Sequence, residues 1–235
     1  MMTGRVRIAV VDSGINGGHS HVRGIAGAVS FRQIDDDKIE IGNDATDTIG
    51  HGTCIAAVIR KKAPEADIHS VKIFWEELRA DVPRLLAAIR WSVENRMDIV
   101  NLSLGTRRDA YREELDSLCR KADEKGILIV SAAGGDGEFP QYPAQFDSVI
   151  GVAGDECCRE DDVIFAGRQG AKICASPYPL SIEGIPRERN FRGNSIATAH
   201  VTGYLANMFA DRTCGINDIR KILTAQHLPD VQIVD

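Results

Sequence analysis

Five short apolar runs, Val6–Val11, Asp67–Phe74, Asp98–Leu102, Ile127–Ala132 and Val149–Val152, narrow the folds open to this chain more than any other feature. Each is mostly continuous in apolar residues, the pattern of a strand covered on both faces. Between them lie stretches with helical spacing. These are Thr53–Lys62, Val82–Arg96 with Leu85, Leu86, Ile89 and Val93 recurring on one face, and Arg112–Lys125 with Leu115, Leu118 and Ala122. Strand alternating with helix predicts an α/β fold with a largely parallel central sheet flanked by helices. Such a sheet carries its chemistry in the loops at the carboxyl ends of its strands.

A chain of 235 residues, 43% of them hydrophobic, can bury one substantial core. No internal repeat, low-complexity segment or Pro/Gly/Ser-rich linker divides it, so residues 1–235 are expected to form a single domain, with no pro-domain ahead of Val6. The four-residue apolar run before Asp12 is too short for a signal peptide, and no segment is long enough to span a bilayer. A net charge of −6 argues against a broad nucleic-acid surface. Six cysteines, Cys54, Cys119, Cys157, Cys158, Cys174 and Cys214, include no Cys-x-x-Cys pair and no zinc-type spacing. Without an export signal they are expected to be reduced thiols in the cytoplasm. Asp35-Asp36-Asp37 lacks the spaced oxygen ligands calcium needs and reads as a solvated loop. No metal or other cofactor is expected.

Three motifs stand out at the ends of these elements. Asp12 leaves the first strand and is followed by Ser13-Gly14, well placed to be fixed by backbone N–H groups. His51 lies between Gly50 and Gly52 at the start of a small-residue helix, with room for another group to approach its ring. Ser195 follows Gly193-Asn194 and opens a run of small and apolar residues, Ala197, Ala199, Val201, Leu205 and Ala206, that reads as a buried helix. Unpaired N–H groups and the positive end of the helix dipole there favour developing negative charge. Taken alone, Ser195 is more readily a helix cap. With a carboxylate to orient an imidazole and an imidazole to deprotonate a hydroxyl, the three residues together supply the parts of nucleophilic catalysis.

Asp12-Ser13-Gly14, His51-Gly52-Thr53 and Gly193–Gly203 resemble the three active-site signatures of subtilisin-like serine peptidases, in that family's order of Asp, His, Ser. Asn101-Leu102-Ser103-Leu104-Gly105 is similar to the family's substrate-binding strand, and Tyr142–Val152 to the segment after its oxyanion loop. The resemblance runs from Val6 to about Phe209. It implies a three-layer subtilisin-like fold and hydrolysis of a peptide bond through an acyl-enzyme, with Ser195 as nucleophile, His51 as base and Asp12 as its partner. It also implies a peptide or protein substrate held as an extended strand along Leu102, Ser103, Leu104 and Gly105. Ala133, Gly134 and Asp136 would border the pocket for the residue before the scissile bond. Maturation of a peptide or protein precursor is one role that fits, and general degradation is another.

Departures from the family pattern accompany this resemblance. Gly135 stands where family members usually carry the asparagine that donates to the oxyanion, and Asn194 stands where threonine is usual. Three readings stay open: a slow enzyme relying on the Ser195 backbone N–H, a replacement donor in Asn194, or a catalytically impaired peptide-binding module. Asn194 is equally well read as a polar contact at the helix start. The connection Arg60–Ala66 is too short for the calcium loop that many relatives insert there, so no metal is expected at that site. His19 and His200 are expected to be structural, and Cys54 to be a small core residue with a possible role in thiol-reagent sensitivity. Ala166–Phe191, broken by Gly167, Gly170, Pro177, Pro179, Gly184 and Pro186, reads as compact but irregular.

Overall fold

A computed structural model describes residues 4–35, 38–134, 141–168, 171–182, 186, 189–210 and 218. Among these, nine strands form one sheet in the order β3-β2-β4-β1-β5-β6-β7-β9-β8. The strands are β1 (Arg7–Asp12), β2 (Gly27–Asp35), β3 (Lys38–Gly42), β4 (Asp67–Lys72), β5 (Ile99–Leu102), β6 (Leu128–Ala132), β7 (Val149–Gly154), β8 (Val163–Arg168) and β9 (Ala171–Ala175). The interior of the sheet, β2-β4-β1-β5-β6-β7-β9, is parallel throughout, and each edge ends in an antiparallel hairpin. This is the three-layer α/β fold the sequence predicts.

Alternation along the central strands divides the core between the two faces of the sheet. Ile8 and Val10 of β1, Ile99 of β5, and Leu128 and Val130 of β6 pack on one face with helices α1 (His51–Lys62) and α4 (Asn194–Ala210). Ala9 and Val11, Val100 and Leu102, and Ile129 face the other way, toward α2 (Val82–Glu94) and α3 (Arg112–Glu124). Ile55 and Ile59 of α1 are fully buried, and each burial contributes about 1.5–3 kcal/mol. Helix α4 is apolar around most of its circumference and is buried from Ile196 to Gly203, with Tyr204 and Asn207 left exposed farther along. It can lie against α1 because Gly203 has no side chain: a Cβ there would sit 2.8 Å from Lys62 Cβ and 3.3 Å from Ile59 Cα.

The five apolar runs became β1, β4, β5, β6 and β7, with Asp67–Phe74 continuing two residues past the end of β4. The two edge hairpins escaped the sequence reading. β3 is almost wholly solvent-facing, so its apolar residues are too few and too exposed to signal a strand. The expectation of irregular chain over Ala166–Phe191 needs correction, since the end of β8 and the whole of β9 lie within it. β9 is hydrogen-bonded to β7 and β8, so ladder pairing overrides the glycines that flank it. Of the acidic run, Asp35 ends β2, and residues 36 and 37 lie outside the described residues.

Strand order reverses at β1: the chain builds β2 and β4 on one side of it and β5, β6 and β7 on the other. A crevice therefore opens beyond the carboxyl ends of β1 and β5, where open parallel sheets hold their ligands. Asp12 ends β1, and Ser103 follows β5 directly.

Candidate active site

The fold brings the three sequence-predicted residues to that crevice. Asp12 is fully buried at the end of β1, His51 begins α1 and is 6% exposed, and Ser195 is the second residue of α4. His51 Nδ1 lies 2.8 Å from Asp12 Oδ1 and 2.9 Å from Oδ2. A carboxylate only accepts, so Nδ1 carries a proton, and in the neutral ring Nε2 keeps its lone pair, the tautomer a general base requires. Burial opposes protonation of the ring, but the charge and hydrogen bond of Asp12, with the charge of Asp47 behind it, overcome that opposition and hold the His51 pKa above its ordinary value. The Phe191 ring meets the imidazole edge to face, with centroids 5.2 Å apart.

Glycines allow this close assembly. A Cβ on Gly52 would stand 2.1 Å from the Gly14 carbonyl oxygen and 3.1 Å from Asp12 Cβ. Gly50, which precedes α1, takes a φ of +88° and supplies no side-chain cap. The cap comes from elsewhere. Ser13 Oγ accepts from Gly52 N at 3.0 Å, and Asp47 Oδ2 accepts from Thr53 N at 2.8 Å and Thr53 Oγ1 at 2.6 Å. Sequence reasoning gave Asp47 no role. The signal was present, because an aspartate just ahead of a helix is a common partner for its first N–H groups.

Ser195 Oγ donates to the Ser103 carbonyl at 3.0 Å, which joins the start of α4 to the strand end after β5. A buried relay supports that strand end: Thr202 Oγ1 donates to Asn101 Oδ1 at 2.9 Å, and Asn101 Nδ2 to Ser103 Oγ at 3.1 Å. Leu102 is buried, with ladder partners on both sides, Val11 and Ser131, so it belongs to the sheet rather than to the crevice wall. Leu104 accepts from Ser131 Oγ at 3.3 Å, and the Gln141 side chain covers the Cα of Gly105 closely enough that a Cβ would meet it at 2.5 Å.

Asn194 is held at both ends of its carboxamide. Its Oδ1 accepts from Gly154 N at 2.8 Å, and its Nδ2 donates to the Ala133 carbonyl at 2.7 Å, so it straps α4 to the ends of β7 and β6. These are the bonds of a polar contact at the helix start. Ala133 is thereby placed beside the crevice, and Gly134 follows it. Gly135 and Asp136 lie outside the described residues. Of the structural histidines, His200 Nε2 pairs with the Tyr178 carbonyl at 2.8 Å, and His19 Nδ1 accepts from His21 N at 3.2 Å. Cys54 sits behind the site with its thiol pushed up to about 12 by burial and by the charges of Asp12 and Asp47. Among the described residues, no group of three or more His, Cys, Asp or Glu could hold a metal ion, and no helix is long and apolar enough to cross a membrane.

Comparison with known proteins gives this geometry a family. The chain is 39% identical over 164 residues to the minor extracellular protease Epr of Bacillus subtilis, covering 65% of this chain and 24% of that protein. It is 31% identical over 222 residues to a thermostable alkaline protease of Halalkalibacterium halodurans, covering 85% of this chain and 55% of that one. The chain thus spans about a quarter and about half of the lengths of these relatives. Among solved structures, the prenylagaramide maturation protease PagA superposes with a TM-score of 0.66 at 22% identity, covering 94% of this chain and 81% of that one. The pattern described as the Subtilase family matches residues 4–213, and the chain belongs to that family.

Proposed function

We propose that this protein is a serine endopeptidase in which Asp12, His51 and Ser195 hydrolyse a peptide bond through an acyl-enzyme. The observation that carries this proposal is the buried Asp12–His51 pair, which engages Nδ1 and leaves Nε2 to act as the base, with the ring against Phe191, three residues ahead of α4. In the reaction, the Ser195 hydroxyl leaves the Ser103 carbonyl for His51 Nε2, which takes its proton as Oγ attacks the scissile carbonyl. The imidazolium, stabilised by Asp12, then protonates the departing amine, and water repeats the sequence in reverse to free the acid. The backbone N–H of Ser195, at the amino end of α4, is the oxyanion donor in this scheme. An extended substrate pairs with the backbone from Ser103 to Gly105, with Ala133, Gly134 and Asp136 bordering the side chain before the scissile bond.

Residues 1–235 act as a single catalytic domain in this proposal. The substrate is a peptide or protein, and a precursor awaiting maturation is the narrower form of it, in keeping with the fold shared with a maturation protease. A cytoplasmic location is proposed from the free thiols at Cys54, Cys119, Cys157 and Cys158. Incubation with a diverse peptide library, followed by mass spectrometry of the products, tests the activity and its preference together. Cleavage that disappears in Ser195→Ala supports the proposal. Peptides that bind and return intact would make the protein a peptide-binding module instead.

A further inference from the structure

Asp47, four residues ahead of His51, is the acceptor of five hydrogen bonds. Its Oδ1 receives Ser13 Oγ at 2.9 Å, Ile49 N at 3.1 Å and Gly50 N at 2.8 Å. Its Oδ2 receives Thr53 N at 2.8 Å and Thr53 Oγ1 at 2.6 Å. A carboxyl group that only accepts is ionised. The Asp12–His51–Ser195 scheme makes no use of this second carboxylate, although Ser13 joins it to the first. Ser13 Oγ stands 2.9 Å from Asp47 Oδ1 and 3.2 Å from Asp12 Oδ1, and it has one proton to give. The nearer oxygen, on Asp47, takes it. The same Oγ accepts from Gly52 N, so the first turn of α1 hangs from a unit that also grips the end of β1.

Among the described residues, Asp12 acts on the imidazole from β1 and Asp47 from the segment before α1, and the uncharged Phe191 meets it from the segment before α4. Lys72, at the end of β4, is held by Asp44 at 2.9 Å and the Thr46 carbonyl at 2.6 Å. Among the described residues, the charges that act on His51 are those of Asp12 and Asp47, both negative, and both belong to the Ser13-linked unit.

We propose that Asp47, acting through Ser13, is a positioning residue for proton transfer at His51: it locks the first turn of α1 to the end of β1 and adds a second negative charge that favours the imidazolium. This rests on the peptidase reading of the same site and gives it a component beyond the three reacting groups. The distinction from a plain helix cap is electrostatic. A cap changes stability alone, whereas a charge near the base also moves the pH at which the base loses its lone pair.

The test is the rate of fluorophosphonate labelling of Ser195 between pH 5 and pH 9, alongside thermal denaturation, in the wild type, Asp47→Asn and Asp47→Glu. Asp47→Asn is expected to move the acid limb down by about half a pH unit, as for a charge in a partly solvated setting. Below the limb, labelling relative to its plateau then rises about threefold. Asp47→Glu returns the limb toward the wild-type position. A lower melting temperature with the limb unmoved overturns the proposal and leaves Asp47 a cap. If Asp47→Asn does not fold, Asp47→Ser removes the charge while leaving a hydroxyl to cap α1, and its limb is read in the same way. A folded wild type that fails to label at Ser195 overturns the peptidase reading itself, a result distinct from a labelled wild type whose limb ignores Asp47.

Discussion

Gly52→Ala places one methyl group at the closest approach in the site. Its Cβ would lie 2.1 Å from the Gly14 carbonyl oxygen, so one of the two backbones must retreat by about 1 Å to reach ordinary contact distance. Gly14 has nowhere to go. On its other side the Ala45 and Thr46 carbonyls would meet a Cβ at 2.7 and 2.6 Å, and Ile15 N is bonded to Ala45 O at 2.8 Å. The shift therefore falls on the first turn of α1, which carries His51. Overpacking of this kind costs about 1–3 kcal/mol, or roughly 2–4 °C in melting temperature per kcal/mol for a domain of this size. Displacing the imidazole by that amount from Asp12 Oδ1 and Oδ2 lowers reactivity by about 10²-fold. The assay is fluorophosphonate labelling and thermal denaturation of Gly52→Ala beside Gly4→Ala, whose Cβ meets nothing within 4 Å. A Gly52→Ala protein that melts and labels like the wild type would refute the packing argument.

Protonation of His51 links the site to stability. Its folded pKa is raised, so its contribution is fully present below the unfolded value of 6.5 and is lost as pH rises through the folded value. Urea unfolding at pH 6 and pH 8.5 should show this decline in the wild type and its absence in His51→Gln. Asn194→Ala strands the Gly154 N–H and the Ala133 carbonyl and should destabilise the protein by about 1–3 kcal/mol in a thermal melt. Unchanged stability with labelling reduced about 10²-fold would instead return Asn194 to the oxyanion. Iodoacetamide at pH 8 should leave Cys54 and Cys119, both pushed up to about 12 by burial, unmodified in the native protein while the exposed Cys157 reacts. Peptide mapping reads that outcome, and alkylation of Cys54 at the rate of Cys157 would contradict it.

The central parallel strands were legible because both of their faces are buried. Ile8, Ala9, Val10 and Val11 have to be apolar whichever way they point, and a run of four is hard to mistake. The edge hairpins were not legible, because Lys38–Gly42 satisfies its hydrogen bonds through Ser30–Asp35 and leaves its side chains to solvent. Asp12, His51 and Ser195 could be picked out because each combines a reactive side chain with a glycine that lets another group come near. The place of Asp47 ahead of α1 signals a cap, but its link to the site does not show in the sequence, since its bond to Ser13 crosses 34 residues and depends on how α1 meets β1. Asn194 presented the opposite difficulty. Its residue type suited either an oxyanion donor or a strap, and only the positions of Gly154 and Ala133 decide which bonds its amide makes.

The central claim, that Ser195 is a nucleophile made reactive by His51, is tested most directly by locating the adduct of a fluorophosphonate probe. Peptide mapping of the labelled protein should place one adduct on Ser195 in the wild type and none in His51→Ala of equal thermal stability. A folded wild type without an adduct on Ser195, or a His51→Ala protein that labels at the wild-type rate, would contradict it.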